Sequence, residues 1–256
     1  MPIDTNFDTD LTGQVALITG TTSGLGKRFA QVLASKGAKV AITGRRVERL
    51  EDLKTQIEAD GGTVAAVPLD VTDEQSIINC IEETEKQLGP ITLLINNAGM
   101  NIEGLVVNVE TEEFDRIMST NVRGPFLMAR EVGKRMIEQG QGGQVINIAS
   151  IAAKRALAGL VPYCTSKAAV AMMTQALARE WARYNINVNA ICPGFITTEI
   201  NEDWFNSDAG QKQLKKYPRR RAGEPSDLDG ALLLLASPKS RFITGELLVV
   251  DDAQSL

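Results

Sequence analysis

Short runs rich in valine and isoleucine alternate with longer stretches of helical periodicity, and this rhythm constrains the fold more than any other feature. The strand-like runs are Val15–Thr19, Lys39–Thr43, Thr63–Leu69, Ile91–Asn96, Gln144–Ala149, Asn187–Ile191 and Leu247–Val250. Most are nearly continuous in apolar residues, as strands covered on both faces must be. Between them lie Leu25–Lys36, Val47–Ala59, Glu74–Leu88, Thr111–Glu138, Tyr163–Tyr184 and Ser226–Ala236, each patterned as a helix. Gly37, Gly61 and Gly89 follow three of these, where a chain leaving a helix commonly takes a positive φ. This order predicts an α/β fold: a doubly wound, seven-stranded parallel sheet with helices on both faces. No repeat, low-complexity tract or linker divides the 256 residues, so a single domain is expected over 1–256. Only the interval of about 197–223 lacks strong periodicity, and a segment of that length reads as a lid over a substrate site.

Composition removes several function classes. The net charge of −5 offers no broad attraction for a nucleic-acid backbone. No apolar stretch approaches the roughly 20 residues needed to span a bilayer. The segment Met1–Gly13 carries Asp4, Asp8 and Asp10 and no apolar run, unlike a signal peptide. Cys80, Cys164 and Cys192 show no CxxC spacing and read as small hydrophobes in a reducing compartment, which predicts a cytoplasmic protein. Histidine is absent from the chain. That excludes any histidine triad, histidine metal site or histidine base, and no metal is expected. Proton chemistry must then come from Tyr, Lys, Asp, Glu or Cys.

The first strand runs into Thr19-Gly20-Thr21-Thr22-Ser23-Gly24-Leu25-Gly26 and directly into a helix. Gly20 permits a tight turn, Gly24 a close approach of backbone to a pyrophosphate, and Gly26 close packing of helix on strand. Thr22, Ser23 and Leu25 belong to the same loop, and the helix N-terminus would offer free N–H groups to phosphates. The alternative is an ordinary glycine-rich turn; its place between strand and helix favours the dinucleotide reading.

The spacing G-x-x-x-G-x-G resembles that of the short-chain dehydrogenase/reductase family, and further motifs agree along the whole chain. Asn96-Asn97-Ala98-Gly99 closes the fourth strand, and Asn121 sits in Asn121-Val122-Arg123-Gly124. Ser150 follows the fifth strand, Tyr163 and Lys167 form YxxxK, and Pro193-Gly194 follows the sixth strand. The resemblance implies a Rossmann-like fold and hydride transfer between a nicotinamide dinucleotide and a carbonyl or secondary alcohol. The chain is similar to 3-oxoacyl-acyl-carrier-protein reductase-like and gluconate dehydrogenase-like members. It implies cofactor contacts from Asn97, Ala98 and Gly99, from the pair Asp70-Val71, and from Pro193, Gly194, the Ile196 backbone and the Thr198 hydroxyl. Asp70 has the plainer reading of a turn cap. Gly44 stands where the family's NAD users usually carry an aspartate, and Arg45 and Arg46 follow. A guanidinium there can pair with a 2′-phosphate, so NADP is expected over NAD. The alternative is that both arginines are solvated charges at a helix entry.

Tyr163 and Lys167 are four residues apart on a helix and share one face. Lowering a tyrosine pKa from its usual ~10 by about three units takes roughly 4 kcal/mol of preference for the phenolate. A nearby ammonium, helped by the positive charge of an oxidised nicotinamide, is of the right size. By resemblance Tyr163 is the acid–base group, and Lys167 tunes it and holds the nicotinamide ribose. Ser150 would bond the substrate carbonyl, and Asn121 would hold a water leading from Lys167 to solvent. Read without the resemblance, Ser150 is a cap and Asn121 a tolerated polar residue in a helix.

The lid interval carries Trp204, Phe205, Lys212, Lys215, Lys216, Tyr217 and Arg219-Arg220-Arg221, and Lys154 and Arg155 follow Ser150. Either these form a pocket for an anionic or CoA-linked oxo compound, or they are a solvated basic face. The arginines with which the acyl-carrier reductases dock their carrier map to Gly142 or Gly143 and to Tyr184, which argues against acyl-carrier work. The terminus Val250-Asp251-Asp252-Ala253 departs from the family's usual Val-Asp-Gly-Gly. A homo-oligomer, a tetramer by resemblance, acting on a small molecule is expected, with neither nucleic acid nor membrane as partner. The rival readings are a non-catalytic dinucleotide sensor or scaffold, an NAD-dependent sugar-acid dehydrogenase, and a sugar-nucleotide epimerase; glycine spacing and a short C-terminal region disfavour the last.

Overall fold

Each apolar run forms a strand: β1 (Val15–Thr19), β2 (Lys39–Gly44), β3 (Thr63–Pro68), β4 (Leu93–Asn96), β5 (Gly143–Ile148), β6 (Ile186–Pro193) and β7 (Leu247–Val250). They build a seven-stranded sheet in the order β3-β2-β1-β4-β5-β6-β7, with every pairing parallel. The computed structural model describes residues 9–199 and 201–256; Asp4 and Asp8 of the acidic N-terminal segment lie outside the described residues. Helices α1 (Gly24–Ser35), α2 (Val47–Ala59) and α3 (Glu74–Leu88) match the periodicity to within a residue.

The sheet separates two cores, because successive side chains of a strand point to opposite faces. On β1, Ala16 and Ile18 join Phe29 and Leu33 of α1 and Leu50, Leu53 and Ile57 of α2. Val15 and Leu17 face the other way, against Ile77 and Ile81 of α3. The Rossmann-like order places β1 and β4 side by side, with their outgoing connections running to opposite faces. A crevice opens at the C-terminal ends of such a pair, and ligands of open α/β sheets bind there.

The stretch Thr111–Glu138, expected as one helix, is interrupted. It comprises α4 (Thr111–Met118), a π-helical turn over Ser119–Arg123, and α5 (Gly124–Gln139). The cause is Pro125. It has no N–H to offer the carbonyl of Asn121 four residues back, and its ring crowds that carbonyl. The helix widens instead, and the Gly124 N–H donates to the Ser119 carbonyl. A wide turn of this kind often marks a functional site. Beyond it lie α6 (Val161–Trp181), α7 (Glu202–Asn206), α8 (Asp208–Leu214) and α9 (Asp229–Ala236). The lid interval is thus not structureless, since it contains α7 and α8. Among the described residues no helix is long and apolar enough to cross a membrane.

Candidate active site

The glycine loop is held by Thr19 at the end of β1 and by Asn97 just past β4. The Thr19 hydroxyl accepts from the Asn97 and Ala98 N–H groups, both at 2.9 Å. The Asn97 side-chain amide donates to the carbonyls of Thr19 and Gly20 at 2.9 and 3.0 Å. These bonds press the loop so close that a Cβ on Gly26 would lie 2.3 Å from the Gly20 carbonyl oxygen. At the head of α1, Ser23 makes no side-chain cap and the first turn holds no acidic residue. The first N–H groups and the positive end of the helix therefore remain available to an anion. Gly24, at φ +56°, has the Thr198 methyl 3.5 Å from where its Cβ would stand. Leu25 packs against the first core. A pyrophosphate fits this loop.

Gly44 at the end of β2 lies against Thr22, whose methyl would be 2.9 Å from a Cβ there. Arg46 donates to the hydroxyls of Thr22 at 3.1 Å and Ser23 at 3.2 Å. Arg45 is exposed. Asp70 accepts from the Thr72 N–H and hydroxyl at 2.9 and 2.7 Å, so it does cap a turn. Those bonds, chiefly the one from the hydroxyl, hold its carboxyl below the usual range, and the charge of Arg45 adds a smaller pull. Val71 is buried and packs against Gly124. Sequence reasoning missed Arg49, one turn beyond Arg45 on α2. Its guanidinium reaches Glu199 at 3.2 Å and lies 3.5 Å from the Thr22 carbonyl.

At the ends of β5 and α6 the four proposed catalytic residues come together. Ser150 heads a short turn (Ile151–Ala153), its hydroxyl accepting from the Ala152 N–H at 3.1 Å. Pro162 starts α6, where its missing N–H costs nothing. Lys167, buried, donates to the Ile148 carbonyl at 2.8 Å, with its Nζ 5.6 Å from the centre of the Tyr163 ring. Tyr163 keeps part of its surface open, but its phenol lies deep enough that burial pushes its pKa up, while the neighbouring Ser150 hydroxyl pulls it down. Burial drives Lys167 the other way, from 10.5 to about 8. The activation expected of Tyr163 is therefore not a property of the protein alone.

Asn121 lies in the π-helical turn and is buried. Its Oδ1 accepts from the Met100 N–H at 2.8 Å, and its amide donates to the Met100 carbonyl at 2.9 Å and the Ser166 hydroxyl at 3.0 Å. A Cβ on Gly99 would come within 3.4 Å of Asn121 Oδ1 and 3.7 Å of Lys167 Nζ, so this glycine keeps open the space beside both.

Past β6, the segment Gly194–Thr198 leads into the lid. Ile196 pairs with Gly223, and the Thr197 N–H donates to the Gly223 carbonyl at 2.8 Å, so the two roots of the lid are joined. Asn201 accepts from the Thr198 N–H at 2.7 Å and donates to the Ile196 carbonyl at 2.9 Å. Tyr217 is buried and stacks on Phe195 with ring centres 5.4 Å apart; Trp204 meets Phe205 edge to face. The basic residues do not converge. Arg219 and Arg221 pair with Asp252, and Arg221 also with Asp227. Lys212, Lys215, Lys216 and Arg220 are exposed. Lys154 donates to the Leu247 carbonyl and Arg155 to that of Gln254. This favours the solvated basic face over a dedicated anion pocket, and it gives the unusual Asp252 a role. Among the described residues no cluster of cysteine and carboxylate side chains is placed to hold a metal ion.

Comparison with known proteins agrees with this arrangement. Residues 14–209 match the short chain dehydrogenase family. The chain is 35% identical over 242 residues to a gluconate 5-dehydrogenase of Gluconobacter oxydans, covering 94% of each. It is 38% identical over 252 residues to an NAD-dependent glycerol dehydrogenase of Listeria innocua, covering 98% of each. Among solved structures, a gluconate 5-dehydrogenase from Burkholderia cenocepacia in complex with NADP and tartrate superimposes with a TM-score of 0.92 at 33% identity, over 97% of each chain. With fold, glycine loop and motif order all in agreement, the chain belongs to the short-chain dehydrogenase/reductase family of oxidoreductases.

Proposed function

We propose that this chain is an NADP(H)-dependent enzyme that interconverts a carbonyl and a secondary alcohol, with Tyr163 as its acid–base group. The observation that carries this reading is the buried ammonium of Lys167, anchored on the Ile148 carbonyl with its Nζ 5.6 Å from the centre of the Tyr163 ring. When bound, the dinucleotide takes or supplies the hydride, and in its oxidised form it brings a positive charge to the site. The α1 N-terminus and the loop Gly20–Gly26 receive the pyrophosphate, Asn97 holding that loop in shape. Asp70 and Val71 border the adenine, and Arg45 pairs with a 2′-phosphate. The Ile196 backbone and the Thr198 hydroxyl meet the nicotinamide amide.

Burial keeps the phenol of Tyr163 protonated at neutral pH, the state that donates to a carbonyl oxygen. Oxidation needs the phenolate, which the charge on Lys167, its Nζ 5.6 Å from the ring centre, favours. Ser150 donates to the same oxygen of the substrate. Pro125 leaves the Asn121 carbonyl without an α-helical partner, and that carbonyl holds the water connecting Lys167 to solvent. The relatives named for gluconate and glycerol support a small polyol or sugar acid as substrate. Arginines already neutralised by Asp252 support the same class over a polyanion.

A second reading, NAD dependence, is favoured by the NAD-dependent glycerol dehydrogenase relative. Three free cysteines, two of them buried, fit a reducing cytoplasm. Exposed apolar residues such as Val107, Met172 and Phe242 give a homotetramer a physical motive.

A panel of polyols, sugar acids and ketones assayed with each cofactor tests the reading. Tyr163→Phe is expected to abolish turnover and leave cofactor affinity nearly unchanged. If the wild-type protein binds a cofactor yet turns over nothing in the panel, the chain is a sensor and not a catalyst.

A further inference from the structure

Gln254, third from last in the chain, is buried to 4% exposure. A buried amide is costly unless its polar atoms are satisfied, and here both the oxygen and the nitrogen of the side chain have a partner. Its Oε1 accepts from the Phe195 N–H at 2.7 Å, its Nε2 donates to the Arg221 carbonyl at 3.4 Å, and its backbone carbonyl accepts from the Arg155 guanidinium. One residue thus joins the segment after β6, the returning root of the lid, and the turn that follows Ser150.

The β6–β7 ladder ends where the Gly194 N–H meets the Val250 carbonyl at 3.0 Å. The next amide, that of Phe195, is taken by the side chain of Gln254 rather than by a strand. The fit is tight: a Cβ on Gly194 would stand 2.5 Å from Gln254 Oε1 and 2.9 Å from Asp251 Cα. To deliver this side chain, the tail turns through Asp252 at φ 54° and Ala253 at φ 63°. Non-glycine residues persist in that region only where their surroundings impose it. Here Asp251 accepts from the N–H groups of Ala253 and Ser255, and Asp252 is held by Arg219 and Arg221.

We propose that Gln254 is a positioning residue for hydride transfer, fixing the Phe195–Ile196 backbone and the lid root at Arg221 relative to Ser150 and Tyr163. The inference rests on the proposed nicotinamide site beside Ile196. Its loss displaces a segment that touches only the nicotinamide half of the cofactor, so the effect is selective. Small displacements at a reacting centre cost one to two orders of magnitude in rate.

The test compares Gln254→Met, similar in length but unable to accept, with Gln254→Glu, which keeps an oxygen for the Phe195 N–H. Affinities are measured by calorimetry for the oxidised dinucleotide and for the same molecule lacking nicotinamide, 2′-phospho-ADP-ribose or ADP-ribose. Gln254→Met is expected to lower kcat about 10- to 100-fold. It weakens the full dinucleotide about tenfold and leaves the fragment unchanged, and Gln254→Glu restores most of both. If the methionine protein does not fold, Gln254→Asn, one methylene shorter, is held to the same two ratios. An unchanged ratio of dinucleotide to fragment affinity with wild-type kcat overturns the proposal, whatever happens to Tm. A wild type that reduces no carbonyl overturns the oxidoreductase reading alone, because the two affinities still report on Gln254.

Discussion

The Asn121 amide donates to the Ser166 hydroxyl at 3.0 Å, and that hydroxyl donates to the carbonyl of Tyr163 at 2.8 Å. The relay bolts the π-helical turn onto α6 at the residue proposed to do the chemistry. Asn121→Ala removes the partner of the half-buried Met100 N–H and carbonyl, and the donor to the Ser166 hydroxyl, which keeps its bond to the Tyr163 carbonyl. Each unsatisfied group costs about 1–3 kcal/mol. Denaturant melts are expected to show a loss in that range, together with reduced turnover. Full stability in the alanine protein would mean that water replaces the amide.

Burial disfavours the charge of Lys167 and brings its pKa down from the usual 10.5 to about 8. At neutral pH the folded state bears the whole cost of that charge, and between about 8 and 10.5 the unfolded chain binds the extra proton. Stability from this group therefore rises with pH through that window. The shift corresponds to roughly 3 kcal/mol, partly offset in Lys167→Met by the freed Ile148 carbonyl. The methionine protein should melt a few degrees higher at pH 7, lose the rise above pH 8, and be inactive. Melting at or below the wild-type temperature at pH 7 would contradict the assignment.

Arg46 is already engaged by Thr22 and Ser23, which leaves Arg45 as the freer guanidinium at the end of β2. A charge-assisted hydrogen bond contributes about 1.5–3 kcal/mol. Arg45→Asp is then expected to shift the NADPH/NADH ratio of kcat/KM towards NADH by roughly 10- to 100-fold. An unchanged ratio would make Arg45 a surface charge.

Ala253 holds φ 63° with a side chain that makes no polar contact. Left-handed backbone costs a non-glycine residue about 1–2 kcal/mol, against about 0.5–1 kcal/mol of extra chain entropy for glycine. Ala253→Gly should therefore stabilise the protein by about 0.5–1 kcal/mol, seen as a small rise in Tm. A fall in Tm would show that the tail is not strained at this residue.

Strand and helix positions were legible because covered strands must be apolar and amphipathic helices must repeat every 3.6 residues. Seven strands and their parallel order follow from that pattern. The glycine loop was legible too, since the crowding at Gly20 and Gly26 is met within a few residues and one strand crossing. Even the break in the long helix had its signal in Pro125, which a reading of apolar periodicity passes over. The pairing of Tyr163 with Lys167 is a matter of helical spacing alone.

What tertiary structure decided lies between segments distant in the chain. Burial, not spacing, sets Tyr163 up and Lys167 down. The anion pocket that clustered basic residues suggested dissolves once Asp252 reaches Arg219 and Arg221 across the fold. Gln254 meets Phe195 over 59 positions of sequence. Local patterns record which face of an element is covered; they do not record which distant polar group completes a hydrogen bond, and that depends on how the sheet brings its strand ends together.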